Sequence, residues 1–131
     1  MIESLKFHHI GIAVNNIEVT TAFYKLIGYS VSDIVFDNNQ NVNVCCLTKQ
    51  GQPAIELVEP VDDQSPVVKI LTKTGVSPYH ICYEVDSISE ETKNLKAQKF
   101  VLVSKAKMSP LFHANVAFLF HKNVGLIELI E

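Results

Sequence analysis

The chain repeats two short segments at nearly the same spacing. The segment His9–Ile17, HIGIAVNNI, has a counterpart at His80–Ile88, HICYEVDSI, 71 positions later. The segment Ile55–Glu59, IELVE, has a counterpart at Ile127–Glu131, IELIE, 72 positions later. Two separate segments with nearly one offset indicate an internal duplication. A duplication constrains the fold strongly, because both copies are expected to build the same structural unit.

Each copy has the pattern of a strand, a helix and three further strands. In the first copy, alternating side chains predict a strand over Lys6–Val14, because successive residues of a strand point to opposite faces. Asn15 and Asn16 can cap a helix over Ile17–Ile27, which Gly28 ends. Three β-rich segments, separated by polar turns, follow this helix at Tyr29–Phe36, Val42–Lys49 and Pro53–Glu59.

The second copy repeats this order. A strand is predicted over Tyr79–Val85, and Ser87 with Glu90 forms a capping box that begins a helix reaching about Lys99. A short linker helix is expected between the copies, with Pro66 in its first turn. The last three strands of the second copy are predicted at Phe100–Ser104, Ala114–His121 and Leu126–Ile130.

The chain is therefore predicted to be a single domain, residues 1–131, with two modules. Module one covers about residues 6–59, the linker helix about 65–75, and module two about 78–131. Neither module can bury a sheet by itself, so the two are expected to pair. We predict an α+β fold in which two tandem βαβββ modules form a curved mixed sheet, with helices outside and a polar metal cleft within.

The first predicted helix contains a stripe of apolar residues. Ala22 and Phe23 are adjacent, as are Leu26 and Ile27, and the second pair lies four positions after the first. Such a stripe normally faces the core of a globular protein. We therefore expect these four side chains to be buried against the sheet.

Composition limits the functions that the chain can have. A net charge of −3 without a basic run gives no support for nucleic-acid binding, which depends on neutralising phosphates. No apolar stretch approaches the roughly 18 residues that a membrane-spanning helix needs. The three cysteines are odd in number and two are adjacent, which favours a reducing, cytoplasmic location over a disulfide framework. The expected partner is a small molecule.

Each copy carries one histidine and one glutamate at equivalent positions. His9 and His80 lie in the repeated strands, and Glu56 and Glu128 lie in the repeated IEL segments. Strand alternation places all four side chains opposite the most apolar face of their strands. Two imidazoles and two carboxylates suit one divalent ion, such as zinc, nickel, cobalt, manganese or iron. A six-coordinate ion would keep two positions for water or substrate, as catalytic sites do.

These residues also have simpler interpretations. A lone histidine in a strand is more often structural than a ligand, and a glutamate in a terminal strand is usually solvated. Glu59 and Glu131 also recur between the copies, on the opposite strand face, and we interpret them as solvated. Duplication would copy a structural histidine as faithfully as a ligand. Metal-ligand residue types at all four positions nevertheless favour the metal site.

Several segments, spread over nearly the whole chain, occur in an order that is typical of one known family. They are Phe7–Val14, Ala22–Tyr24, Leu26–Gly28, Ile55–Pro60, Ser65–Pro66, Tyr79–Ile88, Phe118–Lys122 and Gly125–Leu129. Together they resemble the vicinal oxygen chelate family, the glyoxalase, bleomycin resistance and dioxygenase superfamily, which includes glyoxalase I and methylmalonyl-CoA epimerase. Among its branches, the epimerase-like one is the most similar.

This resemblance implies paired βαβββ modules around one divalent metal ion, with His9, Glu56, His80 and Glu128 as the ligands. It implies a reaction in which substrate oxygens bind the metal and a carboxylate moves a proton on the carbon next to a carbonyl. The expected substrate is a small CoA- or thiol-linked metabolite. Small family members commonly pair, so a homodimer is expected.

Three other functions remain open within the same resemblance. Lactoylglutathione lyase (glyoxalase I) activity is the first alternative. The second is a binding protein without enzymatic activity that sequesters a small molecule such as an antibiotic. The third, a metal-dependent dioxygenase, would use two histidines and one carboxylate, so four ligands disfavour it.

The general base is a departure from the family pattern. Epimerases of the family carry a glutamate in the loop before the third strand, and that position falls on Asn39, whose amide cannot usefully accept the proton. Asp37, the nearest carboxylate, could replace it, or Glu128 could serve as both ligand and base. The remaining possibility is a reaction other than epimerisation, since glyoxalase I can use a ligand glutamate as its base.

Two further side chains, together with Asn39, are candidates for the substrate pocket. Cys82 lies two residues after His80 and is expected to share its strand face. A buried cysteine is more often a small apolar side chain than a nucleophile. His113 precedes the penultimate predicted strand, where it could contact the substrate.

Overall fold

The computed structural model describes every residue from Met1 to Glu131 and contains nine strands and three helices. Parallel and antiparallel strand pairs both occur, so the predicted α+β class with mixed sheet structure is confirmed. In chain order the elements are β1 Lys6–Ala13, α1 Ile17–Leu26, β2 Ser30–Val31, β3 Val35–Asp37, β4 Val42–Thr48, β5 Ala54–Pro60, α2 Val67–Thr74, β6 Ser77–Glu84, α3 Ile88–Ala97, β7 Val101–Ser109, β8 Ala114–His121 and β9 Gly125–Ile130.

The chain divides into two compact units. The first unit is residues 9–79, and the second unit is residues 1–8 together with 80–131. The N-terminal segment belongs to the second unit because Ile2 and Leu5 pack against its core and the Ser4 hydroxyl donates a hydrogen bond to Glu91 of α3. This segment lies outside the predicted boundaries of module two. The predicted organisation as one domain remains a prediction.

In the first unit, the strand order is β2-β4-β5-β1, and β3 also pairs with β4. β1 runs parallel to β5, whereas β4 runs antiparallel to β5. One face of this sheet is apolar and packs under α1, because strand alternation sends every second side chain to that side. The buried core on this face consists of Val14, Ile17, Cys45, Leu47 and Leu57.

The second unit repeats the arrangement with the order β6-β9-β8-β7. β6 runs parallel to β9, and β8 runs antiparallel to both β9 and β7. Its apolar face packs under α3, in the position that α1 has in the first unit. The buried core on this face consists of Val85, Ile88, Leu95, Ala117, Leu119, Ile127 and Leu129.

The predicted starts of α1 and α3 are confirmed by their capping contacts. The Asn16 side chain accepts a hydrogen bond from the Val19 amide at 3.0 Å, and the Ser87 hydroxyl accepts one from the Glu90 amide at 3.2 Å. Such caps satisfy amide groups that have no partner inside the helix.

α2 begins at Val67, so Pro66 is the N-cap residue and does not lie in the first turn, and Pro66 provides no side-chain cap. α2 ends at Gly75, whose φ of 82° suits glycine. None of the three helices has the length and apolarity that crossing a membrane requires.

The predicted buried stripe of α1 is wrong. Ala22, Phe23, Leu26 and Ile27 are all exposed, and Leu26 is 83% exposed. α1 contacts its sheet through a different side, where Ile17 and Thr21 are buried and Tyr24 packs partly against the core. The prediction was based on hydrophobicity alone, whereas the side of α1 that faces the sheet carries the polar Thr21 as well as Ile17.

Two strand predictions also need correction. The segment predicted as one strand over Tyr29–Phe36 forms two short strands, β2 and β3, separated by Ser32, Asp33 and Ile34. The strand predicted over Phe100–Ser104 continues to Ser109 as β7. Register shifts within β7 interrupt its regular pairing with β8, and such irregularities leave little trace in an alternation pattern.

Candidate metal-binding pairs and base

The first unit holds a buried histidine–carboxylate pair. His9 Nε2 lies 3.3 Å from Glu56 Oε1, and both side chains are almost fully buried. β1 and β5 align Gly11 with Glu56, so His9 and Glu56 share one face of the sheet, two positions apart in register. Glycine at position 11 presents no side chain beside the carboxylate. This face is opposite the apolar core under α1, as the sequence predicted.

The second unit holds the equivalent pair. His80 Nε2 lies 3.3 Å from Glu128 Oε1, and both residues are buried. β6 and β9 align Cys82 with Glu128, so His80 again lies two positions from the residue opposite the glutamate. The Phe118 ring meets the His80 ring edge-on at a centroid distance of 5.4 Å, which restricts the orientation of the imidazole. The duplication therefore extends to the geometry of each pair.

The residues of each pair fit a divalent cation. A neutral imidazole offers a nitrogen lone pair and a carboxylate offers oxygens, which are the donors that zinc and its neighbours accept. Two ligand atoms that each lie about 2.1 Å from an ion, at roughly tetrahedral or octahedral angles, are separated by about 3.0–3.4 Å. The observed nitrogen–oxygen distance of 3.3 Å in each pair lies within this range. Each pair is therefore a potential metal-binding group.

Asp37 is a second buried carboxylate in the first unit. It is 5% exposed, and the pairings of β3, β4 and β5 place it on the same sheet face as Glu56. Burial raises the pKa of Asp37. Hydrogen bonds from the backbone N–H groups of Asn39 and Gln40 lower this pKa, and the negative charge of Glu56 raises it. The net effect is a pKa above the ordinary value for aspartate. A carboxylate of this kind accepts a proton more readily than a solvated one.

The hairpin that carries Asp37 has a counterpart in the second unit. Asp37 pairs with Val42 across the first hairpin, and Ser109 pairs with Ala114 across the second. Asp37 Oδ1 accepts a hydrogen bond from the Asn39 amide at 2.9 Å, and Ser109 Oγ accepts one from the Phe112 amide at 3.1 Å. A serine thus stabilises the same kind of turn without a charge. A turn of this kind thus forms without a carboxylate at this position, which favours a chemical role for Asp37.

The other predicted pocket residues have different environments. Asn39 is exposed on the turn after β3, and its backbone N–H donates a hydrogen bond to Asp37 Oδ1. Cys82 is fully buried on the His80 face, where it packs with Val116 and Ile130. His113 is exposed, with a φ of 54°, in the turn before β8. Contact of these three residues with a substrate remains a prediction.

Two structural roles were missing from the sequence interpretation. The contact of Phe118 with His80 has no sequence signal, because it depends on the register of β8 against β9 and of β9 against β6. The correspondence of Asp37 with Ser109 does have a signal, since they are 72 positions apart, which is the offset of the IEL segments. The different residue types hid that correspondence.

Comparisons with known proteins extend over nearly the whole chain. A model of the Glyoxalase/Bleomycin resistance protein/Dioxygenase superfamily matches residues 8–120. Human mitochondrial methylmalonyl-CoA epimerase is 33% identical over 128 residues, which are 95% of this chain and 72% of that protein. The uncharacterised YqjC protein of Bacillus subtilis is 30% identical over 129 residues, which are 96% of this chain and 91% of that protein. The crystal structure of methylmalonyl-CoA epimerase from Mycobacterium tuberculosis matches with a TM-score of 0.87 and 25% identity, covering 100% of this chain and 91% of that chain.

Proposed function

Because the chain belongs to the glyoxalase, bleomycin resistance and dioxygenase superfamily, we propose that it is a metal-dependent isomerase of the epimerase kind. The family resemblance that the sequence predicted is thereby confirmed. The observation that carries the proposal is the pair of buried histidine–carboxylate groups with the same register and the same 3.3 Å separation. The proposed reaction moves a proton on the carbon next to a carbonyl.

The proposal includes one divalent metal ion, bound by His9, Glu56, His80 and Glu128 together. One imidazole and one carboxylate are too few ligands for a stable protein site, whereas the two pairs together supply four. Zinc, nickel, cobalt, manganese and iron all suit this donor set. When bound, such an ion supplies Lewis-acid stabilisation of the negative charge that develops on a carbonyl oxygen.

Asp37 is the proposed general base. An isolated carboxylate in water is too weak a base for a carbon acid, and burial next to Glu56 makes the carboxylate of Asp37 more basic. Its Oδ1 atom accepts a hydrogen bond from the backbone N–H of Asn39, which holds the Asp37 side chain in one orientation. Oδ2 lies 3.5 Å from the side-chain nitrogen of Gln40, which is a long contact, and we assign the proton to this oxygen. Glu128 is the alternative base.

The proposed substrate is a CoA-linked acid, and methylmalonyl-CoA is the first to be tested. Relatives that are at least 30% identical over most of their length bear the name methylmalonyl-CoA epimerase. The compartment that we propose is the reducing cytoplasm, in agreement with three cysteines that form no disulfide. The proposed assembly is a homodimer.

A glyoxalase I-like reaction is the second candidate. Two residues favour it: Glu56 stands where epimerases can carry glutamine, and Asn39 stands where they carry the base. In that reaction a ligand glutamate can act as the base, so Glu128 would replace Asp37 in the proton transfer. The two candidates therefore differ in substrate and in the identity of the base.

The test combines metal analysis with proton exchange. Untagged protein is analysed for metal by mass spectrometry, and deuterium incorporation is then followed in methylmalonyl-CoA and in the glutathione hemithioacetal of methylglyoxal. We expect about one metal per chain and exchange into methylmalonyl-CoA. Exchange only into the hemithioacetal supports glyoxalase chemistry. If the protein binds no metal after reconstitution and catalyses no exchange, the enzymatic proposal is wrong and a small-molecule binding protein is the better description.

A further inference from the structure

The outer side of α1 is an exposed apolar surface. Val19 is 73% exposed, Phe23 57%, Leu26 83% and Ile27 41%. With Ala22, these residues form a continuous stripe, because positions 19, 22, 23 and 26 lie on one side of a helix. The stripe lies directly opposite Ile17 and Thr21, which face the sheet. Contiguous exposed apolar surface of this kind commonly marks an interaction site.

The duplicated helix shows that the fold does not require this surface. α3 has the same position on its own sheet, and its residues are offset by 71 from those of α1. The α3 residues that correspond to the apolar stripe are more polar, and all of them are exposed: Glu90, Lys93, Asn94, Ala97 and Gln98. One copy of the helix therefore has an ordinary solvated outer side. The apolar outer side of the other copy needs a separate explanation.

We propose that the α1 stripe, residues 19, 22, 23, 26 and 27, is the surface through which two copies of this chain associate, with their α1 helices packed antiparallel. Glu18 and Lys25 are exposed on the same flank of the stripe, seven residues apart. An antiparallel pair places Glu18 of one copy opposite Lys25 of the other, and the reverse contact forms at the other end. In a parallel pair related by a twofold axis, Glu18 and Lys25 of the two copies would lie on opposite flanks of the interface, and neither opposite-charge contact would form. The charge pattern thus selects a second copy in one orientation.

The sizes of the side chains fit the same arrangement. Ala22 and Phe23 lie at the middle of the stripe, so the twofold axis of an antiparallel pair would pass close to them. The small side chain of Ala22 leaves room for Phe23 of the other copy, while Val19 and Leu26 of opposite copies meet on either side. Antiparallel helix dipoles add a small favourable term. This inference deepens the proposed homodimer and is independent of the proposed reaction.

The test measures self-association by sedimentation velocity over a concentration series. The wild-type chain of 14.6 kDa is expected to sediment as a dimer. The double variant Val19→Glu/Phe23→Asn gives α1 the residues that α3 carries, and it is expected to weaken dimerisation at least about 100-fold, since exposed aromatic anchors dominate such interfaces. Val124→Glu, at a residue that is 61% exposed in a turn of the second unit, is the matched control and should leave the dimer intact.

Swapping the charges of Glu18 and Lys25 tests whether the two α1 helices pack antiparallel. Glu18→Lys and Lys25→Glu should each weaken the dimer several-fold, and the double variant Glu18→Lys/Lys25→Glu should restore it, because both opposite-charge contacts re-form. A wild-type monomer at all concentrations would overturn both the homodimer and this surface. A dimer that is unaffected by Val19→Glu/Phe23→Asn, or a charge exchange without restoration, would overturn the surface and leave the homodimer. Proton exchange is measured on the same samples, so failure of the reaction is recorded separately.

Discussion

The two hairpins that follow the helices, one in each unit, have the same geometry and different chemistry. Asn41 and His113 both adopt a φ of 54° in these turns, and they are 72 residues apart. The first hairpin begins at the buried carboxylate of Asp37, whereas the second begins at the hydroxyl of Ser109. Since either side chain can support the turn, the difference between these two turns is chemical rather than structural. Each unit holds a buried histidine–carboxylate pair, but only the first has a carboxylate with a raised pKa at the start of its hairpin.

The largest expected effect comes from removing one histidine of either unit. If both pairs bind one ion, His9→Ala and His80→Ala should each abolish stoichiometric metal binding and slow proton exchange by about a thousand-fold or more, because Lewis-acid stabilisation is worth several kcal/mol. Metal analysis distinguishes this from two independent ions. Two metals per wild-type chain, falling to one in each variant, would contradict the shared site. His121→Ala, at a histidine outside both pairs, is the control.

The next largest effect tests the chemical difference between the hairpins. Asp37→Ser gives the first hairpin the residue of the second, so the turn and the metal content should be retained. Exchange into methylmalonyl-CoA should fall by about a hundred- to a thousand-fold, as expected for loss of a general base. The control Asp33→Ser removes an exposed carboxylate of the same unit and should leave the rate unchanged. If Asp37→Ser retains the wild-type rate while Glu128→Gln retains metal and loses exchange, Glu128 is the base.

A smaller effect is expected where the units are equivalent. Leu57 and Leu129 are 72 residues apart, and both are completely buried in the cores under α1 and α3. Leu57→Ala and Leu129→Ala should each lower the free energy of unfolding by about 2–5 kcal/mol, because each leaves a cavity in a packed core. Urea denaturation measures both values. A loss below about 1 kcal/mol in one variant would show that the cores are not equally well packed.

The smallest expected effect is on the pH dependence of stability, which the raised pKa of Asp37 changes. The pKa of Asp37 is raised by burial, so the folded state holds this proton to a higher pH than the unfolded state does. Wild-type stability should therefore fall relative to Asp37→Asn as the pH rises from about 3 through the raised pKa, and the difference should be constant at higher pH. Thermal melts of both proteins between pH 3 and 7 test this. A difference that does not change with pH would contradict a raised pKa.

Features that depend on local pattern could be predicted from the sequence. Strand alternation placed His9 and Glu56 opposite the apolar face, and the caps Asn16 and Ser87 marked the starts of α1 and α3. The duplication gave the order of elements in both modules. The buried side of α1 could not be predicted, because an exposed apolar stripe has the same sequence pattern as one that faces a core.

The sequence by itself determined which residue types recur and which strand face each one occupies, because spacing and strand alternation are local properties of the chain. Only the tertiary structure decided that His9 meets Glu56, and His80 meets Glu128, at 3.3 Å. These distances depend on the register between β1 and β5 and between β6 and β9, which are distant in sequence. The burial that makes Asp37 basic likewise arises from strands packed around it.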